Sequence, residues 1–168
     1  MGDTEPVRED HARAGVRAVR GLLGNAQPSA ERAHVGQWGL DTFAELRLLR
    51  ASMRHAIAEQ PLPHGAVAED ISQRLAIVAT ELATNALAHT RPPTTVQLLR
   101  ATTTYIVEVS DNDPWLVPRF AEKGFAGAGG LGLHMARKLS VGMGWYIDNG
   151  CKYVWAEVAI SVPTPWPR

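Results

Sequence analysis

The sequence predicts an α+β fold, a two-layer α/β sandwich with a mainly antiparallel sheet and helices on one face. Three observations point there. Two apolar stripes recur at helical spacing between Leu46 and Ala86. Strand-like runs with alternating side chains follow them in sequence rather than interleaving with them, which favours antiparallel pairing over βαβ units. Finally, Asn149-Gly150 sits between two such runs and favours a type I′ hairpin.

Taken in order, residues 1 to 36 are rich in Ala, Arg and Gly and give no firm pattern. Arg13, Arg17 and Arg20 beside Val16, Val19 and Leu23 suggest a short amphipathic helix, weakened by Gly15, Gly21 and Gly24. This stretch is expected to be an extension, partly helical or disordered. From Trp38 the signal firms. Leu46, Leu49, Met53 and Ile57 form one helical stripe, ended by Pro61 and Pro63. A second helix is expected from about Val67 to His89, with Ile71, Leu75, Val78, Leu82 and Ala86 on one face, before Pro92-Pro93. Thr94 to Arg100 and Tyr105 to Ser110 read as strands. Residues 112 to 130, with two prolines and several glycines, read as a loop. Leu131 to Leu139 reads as a helix, and Trp145 to Asp148 with Tyr153 to Ile160 as the hairpin. The expected division is an extension at 1–36, one domain at 37–162 and a tail at 163–168.

The 168 residues are 45% hydrophobic, enough for one domain to bury a real core. Seventeen Lys and Arg balance seventeen Asp and Glu. Such neutrality argues against a direct nucleic-acid or membrane-surface binder, whose footprint is excess positive charge. The single cysteine, Cys151, excludes an internal disulfide framework and fits a reducing compartment. No apolar run reaches the roughly 20 residues of a membrane span, and the first ten residues carry four acids instead of a secretory signal's apolar region. A cytoplasmic location with no membrane association is the expectation.

Three places could carry chemistry. Asn85 lies about 40° round the second helix from Glu81, on its apolar half. Either these two form a boundary pair with a nearby arginine such as Arg74, or they are a base and a metal-binding amide facing a pocket. Asp111 ends the apolar face of Tyr105, Val107 and Val109. It is a turn former before Pro114, or a carboxylate at a pocket mouth accepting from a ligand amine. Third, Gly127-Ala128-Gly129-Gly130-Leu131-Gly132 runs into a helix. The run is a ligand-free flexible loop, or an anion cradle of backbone N–H groups and helix dipole. It spells G-x-G-x-x-G, yet no strand precedes it, so a dinucleotide-binding βαβ unit is rejected. Zinc spacings, H-E-x-x-H, G-x-S-x-G and the Walker A sequence are all missing.

In order, these places resemble one family. Glu81-Leu82-Ala83-Thr84-Asn85-Ala86-Leu87-Ala88-His89 resembles the N-box of the ATP-binding fold shared by histidine kinases, gyrase and heat-shock chaperone ATPases. Val109-Ser110-Asp111 resembles the start of its adenine-binding box, and Gly130-Leu131-Gly132-Leu133 its second glycine box. The short form, with a single leading helix and the closing run Gly150 to Glu157, is similar to the anti-sigma-factor serine kinases of bacterial partner-switching systems.

The resemblance implies an ATP pocket under a lid at 114–130, with ATP and Mg²⁺ as cofactors. Asp111 would accept from the adenine amine and Asn85 would coordinate Mg²⁺. Gly127, Gly129, Gly130, Leu131 and Gly132 would hold phosphates through backbone N–H groups. Glu81 would be the catalytic base toward a serine of an anti-anti-sigma-like protein, and Arg50 would touch partners, a sigma factor among them. A homodimer stays open, as does a non-catalytic partner-binding module on the same fold. Two departures stand in the sequence. The adenine box of relatives continues Asp-x-Gly-x-Gly, where this chain reads Asp111-Asn112-Asp113-Pro114-Trp115; and Ala128 stands where relatives often carry an arginine.

Overall fold

The computed structural model describes residues 23–118 and 131–161. Five strands form one antiparallel sheet: β1 (Ala33–Leu40), β2 (Thr94–Arg100), β3 (Thr104–Asp111), β4 (Gly142–Asp148) and β5 (Cys151–Ala159), in the spatial order β1-β2-β3-β5-β4. Three helices accompany it, α1 (Leu46–Ala58), α2 (Ala68–His89) and α3 (Leu131–Leu139). This is the expected α+β sandwich.

The helical stripes are buried as their spacing requires. Leu46, Leu49, Met53 and Ile57 of α1 and Ile71, Leu75, Val78, Leu82 and Ala86 of α2 join Val96, Leu98, Tyr105, Val107, Val109, Val154, Ala156 and Val158 of the sheet in one core. Each large side chain contributes about 1.5–3 kcal/mol by leaving water, so α2 is held by packing more than by propensity. Ser72, which the helix arc places outward, is buried as well. The reason is that α2 is packed by α1, by α3 and by the sheet, so less than half of its circumference meets solvent.

Two features differ from expectation. A strand, not a helix, comes first: β1 begins at Ala33 and pairs with β2 from Ala33↔Arg100 to Leu40↔Thr94, so a boundary after residue 36 falls inside it. Its sequence hides this, since a register shift between His34 and Gly36 breaks the alternation. The Trp38 ring also lies over Gly36, where any Cβ would meet it. Upstream, Leu23 is buried in the core, and residues 24–26 lie along β4. There the Trp145 N–H donates to the Gly24 carbonyl at 3.0 Å and the Ala26 N–H to the Trp145 carbonyl at 2.9 Å. Residues 23–32 therefore belong to the folded unit. The amphipathic helix expected near Arg13 and the tail at 163–168 lie outside the described residues.

On its other face the sheet carries a second, smaller cluster of Leu99, Ile106, Tyr146 and Trp155. Within it Glu108 is buried and accepts a hydrogen bond from the Tyr146 hydroxyl at 2.8 Å. The hairpin turn is as expected, with φ +48° at Asn149 and +80° at Gly150.

Candidate functional site

The candidate site has two parts, Glu81 and Asn85 of α2 beside the start of α3, and Asp111 and Lys152 where the end of β3 pairs with the start of β5. On α2, Glu81 and Asn85 are half-buried, one turn apart. The second residue of α3, Gly132, presses on the first of them: a Cβ there would overlap the Glu81 Oε2. Only glycine lets the first turn of α3 come so close to the carboxylate. That turn carries N–H groups without intrahelical acceptors and the positive end of the helix dipole. The Glu81 carboxylate and the first turn of α3 thus meet, with Asn85 one turn further along α2.

Arg74 does not pair with Glu81. Its guanidinium binds Asp70 at 3.0 Å and the Ala159 carbonyl at 2.8 Å, tying α2 to the end of β5. Glu81 is left beside α3 without that neutralising arginine.

Asp111 closes β3 and is buried on the helix-facing side of the sheet. One carboxylate oxygen accepts the Asp113 N–H at 2.9 Å, an Asx turn that steers the chain into Pro114. The other lies 3.2 Å from the Lys152 ammonium, with side-chain exposures of 2% and 4% for Asp111 and Lys152. Lys152 also donates to the Leu116 carbonyl at 2.8 Å. Burial pushes the Asp111 carboxyl above its ordinary value, while the Asp113 N–H and the Lys152 charge pull it back. Asp111 is therefore a turn former, and it is also a buried carboxylate at the end of the apolar face.

Sequence reasoning missed Lys152. The signal was there: period two places it with Val154, Ala156 and Val158 on the inward face of β5, directly opposite Asp111. Thr94 is a second residue missed. Since Thr95 pairs with Ser110, Thr94 comes to the row of Asp111, where its buried Oγ1 has no hydrogen-bond partner among the described residues.

Of the expected anion cradle, Gly132 is described and Leu131 opens α3, whereas Gly127, Gly129 and Gly130 lie outside the described residues. So does Ala128. Arg50 is exposed on α1 with Arg47 and Arg54, its guanidinium 3.5 Å from the Thr80 hydroxyl. Among the described residues no cluster of three or more His, Cys, Asp or Glu could hold a metal. Asn85 offers a hard amide oxygen, which would suit a Mg²⁺ ion that keeps waters and phosphate oxygens as its other ligands.

The fold is that of an ATPase-type α+β domain, in which the helix carrying Glu81 and Asn85 packs beside α3 at Gly132. The family model for the histidine kinase-like ATPase domain matches residues 43–157, and the chain belongs to that family. An ATPase domain implies nucleotide binding. Among solved structures, the fold is similar to that of the RsbU and RsbW domains of Rv1364c from Mycobacterium tuberculosis, with a TM-score of 0.52 and 18% identity. The match covers 79% of this chain and 35% of that one. The chain therefore spans about a third of that structure's length. A comparison with curated proteins finds no match. Among the described residues no helix is long and apolar enough to cross a membrane.

Proposed function

We propose that this protein is an ATP-dependent regulator of the anti-sigma-factor type, which phosphorylates a serine of a partner protein, sequesters a sigma factor, or does both in turn. The observation that carries the reading is the contact of Glu81 with Gly132, with Asn85 one turn further on. It supports a site in which nucleotide phosphates, metal and a base converge. The orphaned Thr94 hydroxyl beside Asp111 supports a ligand at the other end.

When bound, ATP supplies the transferable phosphoryl group and Mg²⁺ neutralises its charge. The chain's own residues do the rest. Asn85 offers its amide oxygen to the metal, and the N–H groups at the start of α3 hold phosphate oxygens. Asp111 accepts from the base. Glu81 takes the proton of the serine hydroxyl as its oxygen bonds to phosphorus and the bond to the ADP oxygen breaks. Phosphoryl transfer asks mainly for such positioning and charge neutralisation. The exposed arginines of α1, Arg50 among them, suit an acidic protein surface. In this reading the protein acts in the cytoplasm.

A second reading, a partner-binding module without transfer, is favoured by one observation: both oxygens of Asp111 are already hydrogen-bonded within the chain. The variant Glu81→Gln separates the two. It keeps shape while removing charge, so ATP and partner binding should persist, and serine phosphorylation should fall by roughly 10²–10⁴. If the unmutated protein binds its partner and transfers no phosphate, the second reading holds. Equal transfer by Glu81→Gln would move the base elsewhere.

A further inference from the structure

Among the described residues Lys152 is the one buried cation, and it makes two contacts of different kinds. It faces Asp111 across the β3–β5 ladder, and it reaches over to the Leu116 carbonyl of the segment that follows β3. That segment is anchored at further points: the Asx turn of Asp111 and Asp113, the packing of Val117 against the core, and the hydrogen bond from the Leu23 N–H to the Pro118 carbonyl at 3.3 Å. A lysine buried to this extent is costly unless paired. Here the pair falls on the carboxylate assigned to the nucleobase amine.

We propose that Lys152 is the positioning residue for Asp111: its ammonium fixes the orientation of that carboxylate, keeps it a hydrogen-bond acceptor for the base amine, and ties the 112–118 segment to it. This deepens the nucleotide reading and rests on it.

The physical case is direct. A carboxylate buried to this extent would take up a proton to avoid buried charge, and a protonated carboxyl offers a weaker acceptor to an amine. The groups that act on Asp111 are the Lys152 ammonium from β5, and from the loop the Asp113 N–H and the Asp113 charge. Thr94 from β2 lies in the same row with an uncharged hydroxyl. Lys152 is thus the only positive side chain among the described groups that acts on it. By holding one oxygen, it leaves the remaining lone pairs of the carboxylate in a fixed direction. By holding the Leu116 carbonyl, it couples that direction to the segment beside the base.

The test has two arms on the full chain, using Lys152→Met, Lys152→Arg, Asp111→Asn and the double variant Asp111→Asn/Lys152→Met. The first arm needs no nucleotide: the Asp111 carboxyl resonance, identified by its loss in Asp111→Asn, is followed by carbon-13 NMR against pH. In Lys152→Met its midpoint should move up, and in Lys152→Arg it should stay near the unmutated position. An unmoved midpoint in Lys152→Met overturns the proposal. The second arm measures ATP affinity from pH 5.5 to 8.5. Each variant's profile is read as a ratio to that of the unmutated protein, which cancels the titration of ATP's own terminal phosphate. Lys152→Met should bind about tenfold or more weakly at neutral pH, as expected for losing a charge-assisted acceptor. Its affinity should recover as rising pH ionises Asp111, and Lys152→Arg should restore most of the loss. In the Asp111→Asn background, Lys152→Met should change affinity little, because Lys152 acts through Asp111. This neutral pair also leaves no unpaired buried charge, so it serves if Lys152→Met fails to fold. An equal loss in both backgrounds, or tighter binding by Lys152→Met, overturns the proposal. If no form binds ATP, the nucleotide reading fails, and a midpoint still governed by Lys152 leaves the pairing of the two residues standing.

Discussion

The carboxylate of Glu81 occupies the place that a side chain on Gly132 would need. Two helices far apart in sequence are thereby brought to contact distance, and a single methyl decides whether that contact survives. Inside a helix, Gly→Ala stabilises by about 1 kcal/mol through propensity alone. Opposing it, overpacking costs about 1–3 kcal/mol where the neighbour cannot yield. Here the nearest obstacle is the far end of the Glu81 side chain, which can swing aside. Gly132→Ala should therefore keep its thermal midpoint within a few degrees, yet displace Glu81 and cut phosphoryl transfer as strongly as Glu81→Gln. A thermal melt and a partner-phosphorylation assay on the same sample check both halves. A large loss of stability would mean that the helices, not the side chain, give way.

Asn85 follows Glu81 by one turn and offers the amide oxygen expected to meet Mg²⁺. Asn85→Ala should weaken ATP binding in Mg²⁺ buffer and change it little in a chelator, where no cation needs the amide. Titration calorimetry in the two buffers reads the difference. Equal loss in both would assign Asn85 to the nucleotide itself or to the packing of α2.

Much of this was legible before any coordinates. Periodicity located α2, β2 and α3 within a residue or so, because each has a long run in which burial and spacing agree. Glu81 and Asn85 stood out because polar residues on an apolar arc require a reason. The illegible parts share one physical cause: their partners are distant in sequence. β1 takes its stability from pairing with β2, about sixty residues away, and its glycines and bulge erase the local alternation. Residues 23–26 are fixed by backbone bonds to Trp145, and by the Trp155 indole N–H donating to the Ala26 carbonyl at 2.6 Å. Neither leaves a pattern in the segment itself. Lys152 was overlooked for a different reason. A lone lysine in a strand reads as solvent-facing until its face is counted against Asp111.

The same counting applies to Glu108, which faces away from the helices and is 4% exposed within the cluster of Leu99, Ile106, Tyr146 and Trp155. Burial raises its carboxyl above the ordinary value, and the Tyr146 hydroxyl and Arg32 offset only part of that. The folded protein consequently holds this proton more tightly than the unfolded chain, whose glutamates titrate near about 4.3. Between that value and the raised one, unfolding releases the proton, so the Glu108 contribution to stability is fully present below the window. It declines as pH rises through the window and is lost above it. Glu108→Gln removes the titration while its amide oxygen still accepts from Tyr146. Denaturant midpoints at pH 4.5, 5.5 and 7 should show the unmutated protein losing ground against the variant as pH rises. At pH 7 the variant should be equal or more stable, by up to about 1 kcal/mol, the worth of one ordinary hydrogen bond. Comparing the two proteins at each pH cancels every other titrating group, Asp111 included. If instead the gap stays constant from pH 4.5 to 7, the Glu108 carboxyl titrates alike in the folded and unfolded chains, and Tyr146 donates to an already ionised partner.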